Sequence, residues 1–107
     1  MDELVHLVYR LTKNFPREEL FGSASQLRRA SLSIILNYIE GFARKRRLVK
    51  INFFEISFGS LKETMYLLEF SQKENWTHKK DFDSAMKLAD EIAAMLWKTI
   101  NGLEQET

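Results

Sequence analysis

Residues 48–74, LVKINFFEISFGSLKETMYLLEFSQKE, are the most apolar part of the chain and decide its fold. Apolar side chains recur there at alternating steps of three and four residues: Ile51, Phe54, Phe58, Leu61, Met65 and Leu68. This spacing is that of a helix whose seam packs against antiparallel neighbours. A second apolar row lies beside the seam: Phe53, Ile56, Leu67 and Phe70. A helix that is apolar on more than one side needs more than one partner surface.

Two further helices precede this segment. The first is predicted over residues 2–14, where one face is apolar: Leu4, Leu7, Val8, Leu11 and Phe15. Pro16 ends that helix, because its ring forces the preceding residue into an extended conformation. Gly22 then acts as a stop and Ser23 to Gln26 as a capping box, so the second helix is predicted over residues 24–43.

A fourth helix follows residues 76–78. Its apolar seam consists of Phe82, Ala85, Ala89, Ile92, Leu96 and Leu103. All the connections are short, and short connections make sequential helices antiparallel neighbours. The sequence therefore predicts an all-α, antiparallel up-down-up-down four-helix bundle that forms a single domain over residues 1–107.

The composition supports this fold class and excludes several functions. The 107 residues include only 4 Gly and 1 Pro, too few breakers for a fold of many strands. Without cysteine, the chain has no disulfide framework, thiolate metal site or thiolate nucleophile. The acidic start, Met1 to Glu3, is unlike a secretory signal, and no apolar run approaches the roughly 20 residues of a membrane span. We expect a soluble, cytoplasmic protein with no membrane contact.

The unequal lengths of the predicted helices favour self-association. At about 1.5 Å per residue, the first helix is roughly 20 Å long and the third roughly 40 Å. Half of the long helices would therefore lack a fourth partner and expose apolar surface. The charge is also uneven: residues 1–54 carry a net +5 and residues 55–107 a net −4. This asymmetry allows either a basic face or a head-to-tail contact between copies.

A polar stripe follows one side of the second helix. Arg29, Ser33 and Glu40 fall within about 40° of one another, and Asn37 lies at the edge of the stripe. The stripe could be a ligand or nucleic-acid site. The alternative, which we favour, is a structural network that fixes helix register or subunit orientation. Its predicted contacts are an ion pair of Arg29 with Glu40, and hydrogen bonds of Ser33 and Asn37 to Ser57, Ser60 or Glu63.

Gly59 stands in the middle of the third helix, where glycine costs about 1 kcal/mol relative to alanine. A close helix crossing at Gly59 and Ser60 would justify it. A phosphate cradle would instead need a glycine-rich loop at a helix N-terminus, which the sequence lacks.

The turn between the second and third helices concentrates positive charge. Five basic residues fall within seven positions: Arg44, Lys45, Arg46, Arg47 and Lys50. Clustered Arg and Lys bind phosphates and release condensed counterions. The alternative is a solvated turn whose charges interact with the C-terminal dipole of the second helix. In a symmetric oligomer the run would recur around one rim, which favours the nucleic-acid interpretation.

Catalytic and cofactor sites find little support. Glu3 and His6 form a single Glu-x-x-His pair, whereas a di-iron bundle needs two such pairs and two more carboxylates. His6 and His78 are too isolated to complete a nucleophilic triad. We therefore expect no enzyme activity, metal or cofactor. The large aromatic side chains fit core or subunit contacts better than a base-stacking platform: Phe53, Phe70, Trp76, Phe82 and Trp97.

Three segments carry a family resemblance: residues 15–19 (FPREE), residues 26–47 and residues 59–63 (GSLKE). With them the chain resembles the family of four-helix-bundle proteins encoded in intervening sequences of 23S ribosomal RNA. That family includes the accessory variability determinant of diversity-generating retroelements. The resemblance implies a four-helix bundle, and its retroelement branch implies a pentameric barrel that binds nucleic acid and a reverse transcriptase. Family motif positions are matched here by Arg28, Arg29, Asn37, Glu40, Gly41, Arg44, Gly59 and Ser60.

The sequence and the resemblance together predict a non-enzymatic, self-associating bundle that binds RNA or DNA through a basic rim, most simply as a pentamer. A reverse transcriptase partner follows from the resemblance alone. The alternative is a protein-interaction or scaffold bundle without a nucleic-acid role, in which the basic turn contacts an acidic surface such as the chain's own C-terminal half.

Overall fold

The computed structural model describes residues 1–106 and is built from helices. Its elements are α1 (Asp2–Thr12), a 3₁₀ turn (Arg17–Glu19), α2 (Ser23–Ala43), α3 (Arg47–Lys73) and α4 (Lys79–Glu104). Each predicted helix is present within two residues of its expected ends, and no strand occurs among residues 1–106. The all-α prediction is confirmed. Thr107, the last residue of the predicted domain, lies outside the described residues.

The helices pack in chain order. α2 lies along α3 and α3 along α4, while α1 contacts both α2 and α4. Within residues 1–106, the backbones of α2 and α4 are not in contact, as expected for the two helices that face each other diagonally across a four-helix bundle. The molecule is elongated, 49 × 24 × 18 Å, because α3 has 27 residues and α4 has 26. Because α1 has only 11 residues, no fourth helix among residues 1–106 lies beside α2, α3 and α4 at one end of the bundle.

The core is a continuous row of aliphatic side chains from all four helices. Its fully buried members include Leu4, Val8, Leu27, Ile34, Leu61, Leu68, Ala85, Ala89 and Leu96. Arg28 ties α1 to α2 at the edge of this core. Its Nε donates a 2.8 Å hydrogen bond to Thr12 Oγ1, and its guanidinium lies 5.0 Å from the centre of the Tyr9 ring.

The seam of α3 differs from the predicted one in its middle. Phe58 and Met65 are only half-buried, whereas Ser57, Thr64 and Ser71 are completely buried at seven-residue intervals. Small side chains allow α2 to approach closely, and Ser57 Oγ donates a 2.7 Å hydrogen bond to the Ile34 carbonyl. These hydroxyls can be buried because each has a hydrogen-bond partner.

The predicted capping box at the start of α2 is wrong. Gly22 is the N-cap residue, and Ser23 already lies inside the helix. The cap comes from upstream, because Glu19 Oε1 accepts hydrogen bonds from Ser23 Oγ at 2.5 Å and from the Ser23 backbone N–H at 3.3 Å. The 3₁₀ turn thus presents a carboxylate to the positive end of α2.

The close helix crossing expected at Gly59 occurs at another glycine. Among residues 1–106, no heavy atom beyond the adjoining residues and backbone of α3 lies within 4 Å of the position that a Cβ would take at Gly59, which is exposed. At Gly41, by contrast, a Cβ would lie 2.7 Å from Cδ1 and 2.8 Å from Cζ of Phe54. Gly41 is therefore the residue that lets α2 and α3 approach, with the Phe54 ring against the α2 backbone.

Candidate nucleic-acid interface

The five basic residues of the predicted rim lie together at the α2–α3 turn. α2 ends at Ala43 and α3 begins at Arg47, so only three residues connect the two antiparallel helices. Arg44 and Arg46 have extended backbones with ψ of 151° and 130°. Such a short extended connection keeps the basic side chains at one end of the bundle. Four of the five residues are exposed, and Lys50 is half-buried.

Three of these side chains have partners within the chain. Arg44 forms an ion pair with Glu40 at 2.6 Å, and its guanidinium lies 5.1 Å from the centre of the Phe53 ring. Lys50 Nζ donates to the carbonyls of Gly41 and Phe42, both at 3.3 Å. Lys50 therefore caps the carbonyl end of α2, where a positive charge is favourable.

Arg47 reaches the end of another helix. Its Nη1 donates a 3.2 Å hydrogen bond to the Leu103 carbonyl, near the end of α4. Neither side chain of the neighbouring pair, Lys45 and Arg46, has a hydrogen bond or ion pair with any of residues 1–106. Only Arg44 is matched by a carboxylate, so four positive charges at this turn have no acidic partner in the described chain.

An aromatic cluster that the sequence analysis did not single out adjoins these charges. The Phe42 ring makes edge contacts with Tyr38 and Phe54, with centroids 4.8 and 5.3 Å apart. Phe42 is nevertheless 58% exposed, and Leu48 on the other side of the turn is 70% exposed. In the sequence, the one indication of this cluster was that Phe42 lies two residues before the basic run. This end of the protein therefore combines positive charge with exposed aromatic surface.

The polar stripe of α2 is only partly a network. Ser33 Oγ and Ser60 Oγ are 2.9 Å apart, and Asn37 Nδ2 donates to the Ser33 carbonyl and to Ser33 Oγ, both at 2.9 Å. The predicted contact between Ser33 and Ser60 is therefore present, whereas the predicted bond of Asn37 across to α3 is wrong, because Asn37 bonds to Ser33 within α2. All three residues are half-buried at the boundary between α2 and α3.

The predicted ion pair of Arg29 with Glu40 is absent. The two residues are 11 positions apart on α2, which separates them by about 16 Å along the helix axis. An angular projection placed them on one stripe but ignored this rise. Glu40 pairs instead with Arg44, one turn away, and Arg29 is exposed.

The other aromatic residues have varied surroundings. The Trp76 ring packs between Phe15 and Phe70, with centroid distances of 5.3 and 5.7 Å. Trp97 is 64% exposed on α4, at a shallow cleft of about 300 Å³ whose rim includes Glu55 and Glu104.

Residues 1–106 contain neither a metal-binding cluster nor a membrane-spanning helix. No three His, Asp or Glu side chains lie close enough together to hold a metal ion. Over the same residues, none of the helices has the length and apolar character needed to cross a membrane.

Comparisons with known proteins agree with this architecture. Residues 1–98 match the model of a family described as 23S rRNA-intervening sequence protein. The fold is similar to a crystal structure from Bacteroides thetaiotaomicron, described as a protein of unknown function from the S23 ribosomal protein family. That likeness has 25% sequence identity, a TM-score of 0.83 and coverage of 92% of each chain. No curated protein matches the sequence. Neither description names an enzymatic activity.

Proposed function

The chain belongs to the 23S rRNA-intervening sequence protein family, and we propose that it is a non-enzymatic, self-associating bundle that binds RNA or DNA through its α2–α3 turn. The observation that carries this proposal is the group of four positive charges without an acidic partner: Lys45, Arg46, Arg47 and Lys50. Hydrogen bonds to neutral carbonyls leave the charges of Arg47 and Lys50 intact, so both still attract phosphate.

Self-association is supported by the apolar side chains on the outer faces of α2 and α3. Leu36, Ile39 and Ile56 are 53%, 56% and 43% exposed. Several exposed aliphatic groups on neighbouring helices favour contact with another protein surface. We propose a pentamer, as the family resemblance implies, in which five copies of the turn form a rim. Several weak phosphate contacts held in one assembly bind far more tightly than one contact alone.

Two further parts of the proposal, the protein partner and the location, rest on the family relationship. A reverse transcriptase partner is supported only by the resemblance to retroelement accessory proteins. A cytoplasmic location is supported by the association with ribosomal RNA in the family's description.

A salt titration of nucleic-acid binding tests the proposal. Affinity for a structured RNA should fall steeply as salt rises, because each phosphate contact releases counterions. Replacing Lys45, Arg46 and Arg47 with Gln should abolish most of the binding and flatten the salt dependence. The matched control replaces Lys73, Lys80 and Lys87 with Gln. These three exposed lysines lie nearer the opposite end of the bundle. Absent or salt-independent binding, or equal losses in both variants, would reject the basic rim.

The alternative function is a scaffold in which the basic turn contacts the acidic half of a neighbouring copy. The cleft beside Trp97 favours it, because an exposed aromatic ring flanked by Glu55 and Glu104 suits a basic side chain. Light scattering separates the two functions. If Glu55→Gln with Glu104→Gln dissociates the oligomer and no RNA binds, the scaffold is the correct interpretation. If the oligomer is unchanged and RNA binds, the scaffold is excluded.

A further inference from the structure

Phe42 is an aromatic side chain in an unusual position. It occupies the last turn of α2, and Arg44 and Lys45 follow it within three residues. Its residue is 58% exposed, although Tyr38 and Phe54 contact the ring. Phe42 and Leu48 are both largely exposed on either side of the basic turn, and exposed apolar surface rimmed by charged residues is typical of a binding site.

The ring is held in place rather than free to swing. Its contacts with Tyr38 and Phe54 have interplanar angles of 76° and 69°, the edge-to-face geometry that aromatic pairs prefer. Phe54 is itself 1% exposed and lies against Gly41, so it provides a fixed support. Lys50 Nζ lies 6.0 Å from the centre of the Phe42 ring, bound to two backbone carbonyls. The result is a preorganised aromatic platform with the Lys50 ammonium over the ring.

We propose that this platform binds single-stranded nucleic acid, with one unpaired base stacked on Phe42 and the adjoining phosphates on Lys45 and Arg46. This inference rests on the proposed nucleic-acid binding and specifies its substrate. Positively charged surfaces that bind single strands characteristically place aromatic rings where bases can stack. A duplex keeps its bases paired and stacked, so it offers no free base face to the Phe42 ring.

An anionic membrane is the competing partner, because exposed Phe42 and Leu48 beside basic residues also resemble an interfacial anchor. The structure favours nucleic acid for a mechanical reason. The contacts with Tyr38 and Phe54 hold the Phe42 ring against the bundle, and the connection between α2 and α3 has only three residues. Both features hold the ring close to the protein and limit how deeply it can enter a bilayer.

The test measures binding of the full chain to labelled oligonucleotides by fluorescence anisotropy. The probes are oligouridylate and oligothymidylate of about twelve nucleotides, within the usual range of single-strand site sizes. An RNA duplex with the same number of phosphates is the third probe, and phosphatidylserine vesicles are the fourth. Wild-type protein should bind both single strands more tightly than the duplex. A difference in affinity between oligouridylate and oligothymidylate identifies RNA or DNA as the preferred ligand.

Variants of the ring complete the test. Phe42→Leu should weaken single-strand binding by about tenfold, since a stacked base contributes that order of affinity. The affinity of the Phe42→Leu variant for the RNA duplex should equal that of the wild-type protein. Phe42→Tyr keeps the ring and should retain single-strand binding. Phe21→Leu is the matched control, because Phe21 is 93% exposed but lies at the other end of α2.

The possible failures are distinguishable. Equal affinity for duplex and single strand, with Phe42→Leu behaving like Phe21→Leu, overturns the stacking site but leaves the basic rim intact. Binding to vesicles without binding to any oligonucleotide overturns both proposals. The comparison of probes uses wild-type protein, so it decides the question even if Phe42→Leu does not fold.

Discussion

Gly41→Ala and Gly59→Ala should change stability in opposite directions, although both replace a glycine inside a long helix. Neither glycine has a positive φ, so alanine fits both backbones. Alanine in a helix interior gains about 0.5–1 kcal/mol over glycine. At Gly59 no steric contact opposes this gain, because beyond the adjoining part of α3 no heavy atom of residues 1–106 lies within 4 Å of the new Cβ. Gly59→Ala should therefore stabilise the protein by about 0.5–1 kcal/mol.

At Gly41 the same methyl group would overlap a buried ring. Its Cβ would lie 2.7 Å from Phe54 Cδ1, far inside van der Waals contact, and Phe54 is 1% exposed. The ring cannot move away freely, because it also contacts Tyr38 and Phe42. Overpacking of this kind costs about 1–3 kcal/mol. After the gain in helix propensity, Gly41→Ala should destabilise the protein by about 1–2 kcal/mol.

Urea and thermal unfolding followed by circular dichroism measure both effects. About 1 kcal/mol shifts the melting temperature of a domain this size by roughly 4–8 °C, so the two variants should differ by roughly 10 °C. Protein concentration must be the same throughout, because self-association makes the midpoint depend on it. If Gly41→Ala stabilises as much as Gly59→Ala, the contact of Phe54 with α2 is not a close one. If Gly59→Ala destabilises and lowers the mass in light scattering, Gly59 contacts a neighbouring copy instead of solvent.

Three other substitutions test particular contacts. Glu19→Ala removes the carboxylate that caps α2 through Ser23 and should cost about 0.5–2 kcal/mol in urea unfolding, whereas an unchanged midpoint would show that water replaces this cap. Ser57→Val places an apolar group against the Ile34 carbonyl and should cost about 1–3 kcal/mol, and a neutral effect would contradict the close α2–α3 packing. Asn37→Leu removes the donor to Ser33 and should alter the oligomer mass or the cooperativity of melting; if both stay the same, the polar network does not fix subunit register.

The extents of the helices were predictable from the sequence because periodicity and breakers act locally. The steps of three and four from Ile51 to Leu68 identified α3, and Pro16 and Gly22 marked the gap between α1 and α2. The short α1 also followed from the sequence, as did the conclusion that the longer helices extend beyond it. The predicted contact of Ser33 with Ser60 is confirmed, since both residues lie on the sides of α2 and α3 that an antiparallel pair brings together.

The errors concern contacts that depend on distance along and between helices. An angular projection put Arg29 near Glu40, but the axial rise separates them, and Glu40 pairs with Arg44. Three hydroxyl side chains at seven-residue intervals, Ser57, Thr64 and Ser71, replace part of the apolar seam in α3, because each is small and donates a hydrogen bond to a backbone carbonyl. The cap of α2 came from Glu19, whose place is set by the 3₁₀ turn.

By itself, the sequence determined four amphipathic helices, their order and the concentration of positive charge at one turn, because these depend on residue spacing and covalent connection. Only the tertiary structure decided which charges have partners and which glycine is tightly packed. It also revealed the exposed Phe42 ring beside the basic turn. These properties depend on separations of a few ångströms between side chains on different helices, and those separations are set when α2, α3 and α4 pack together.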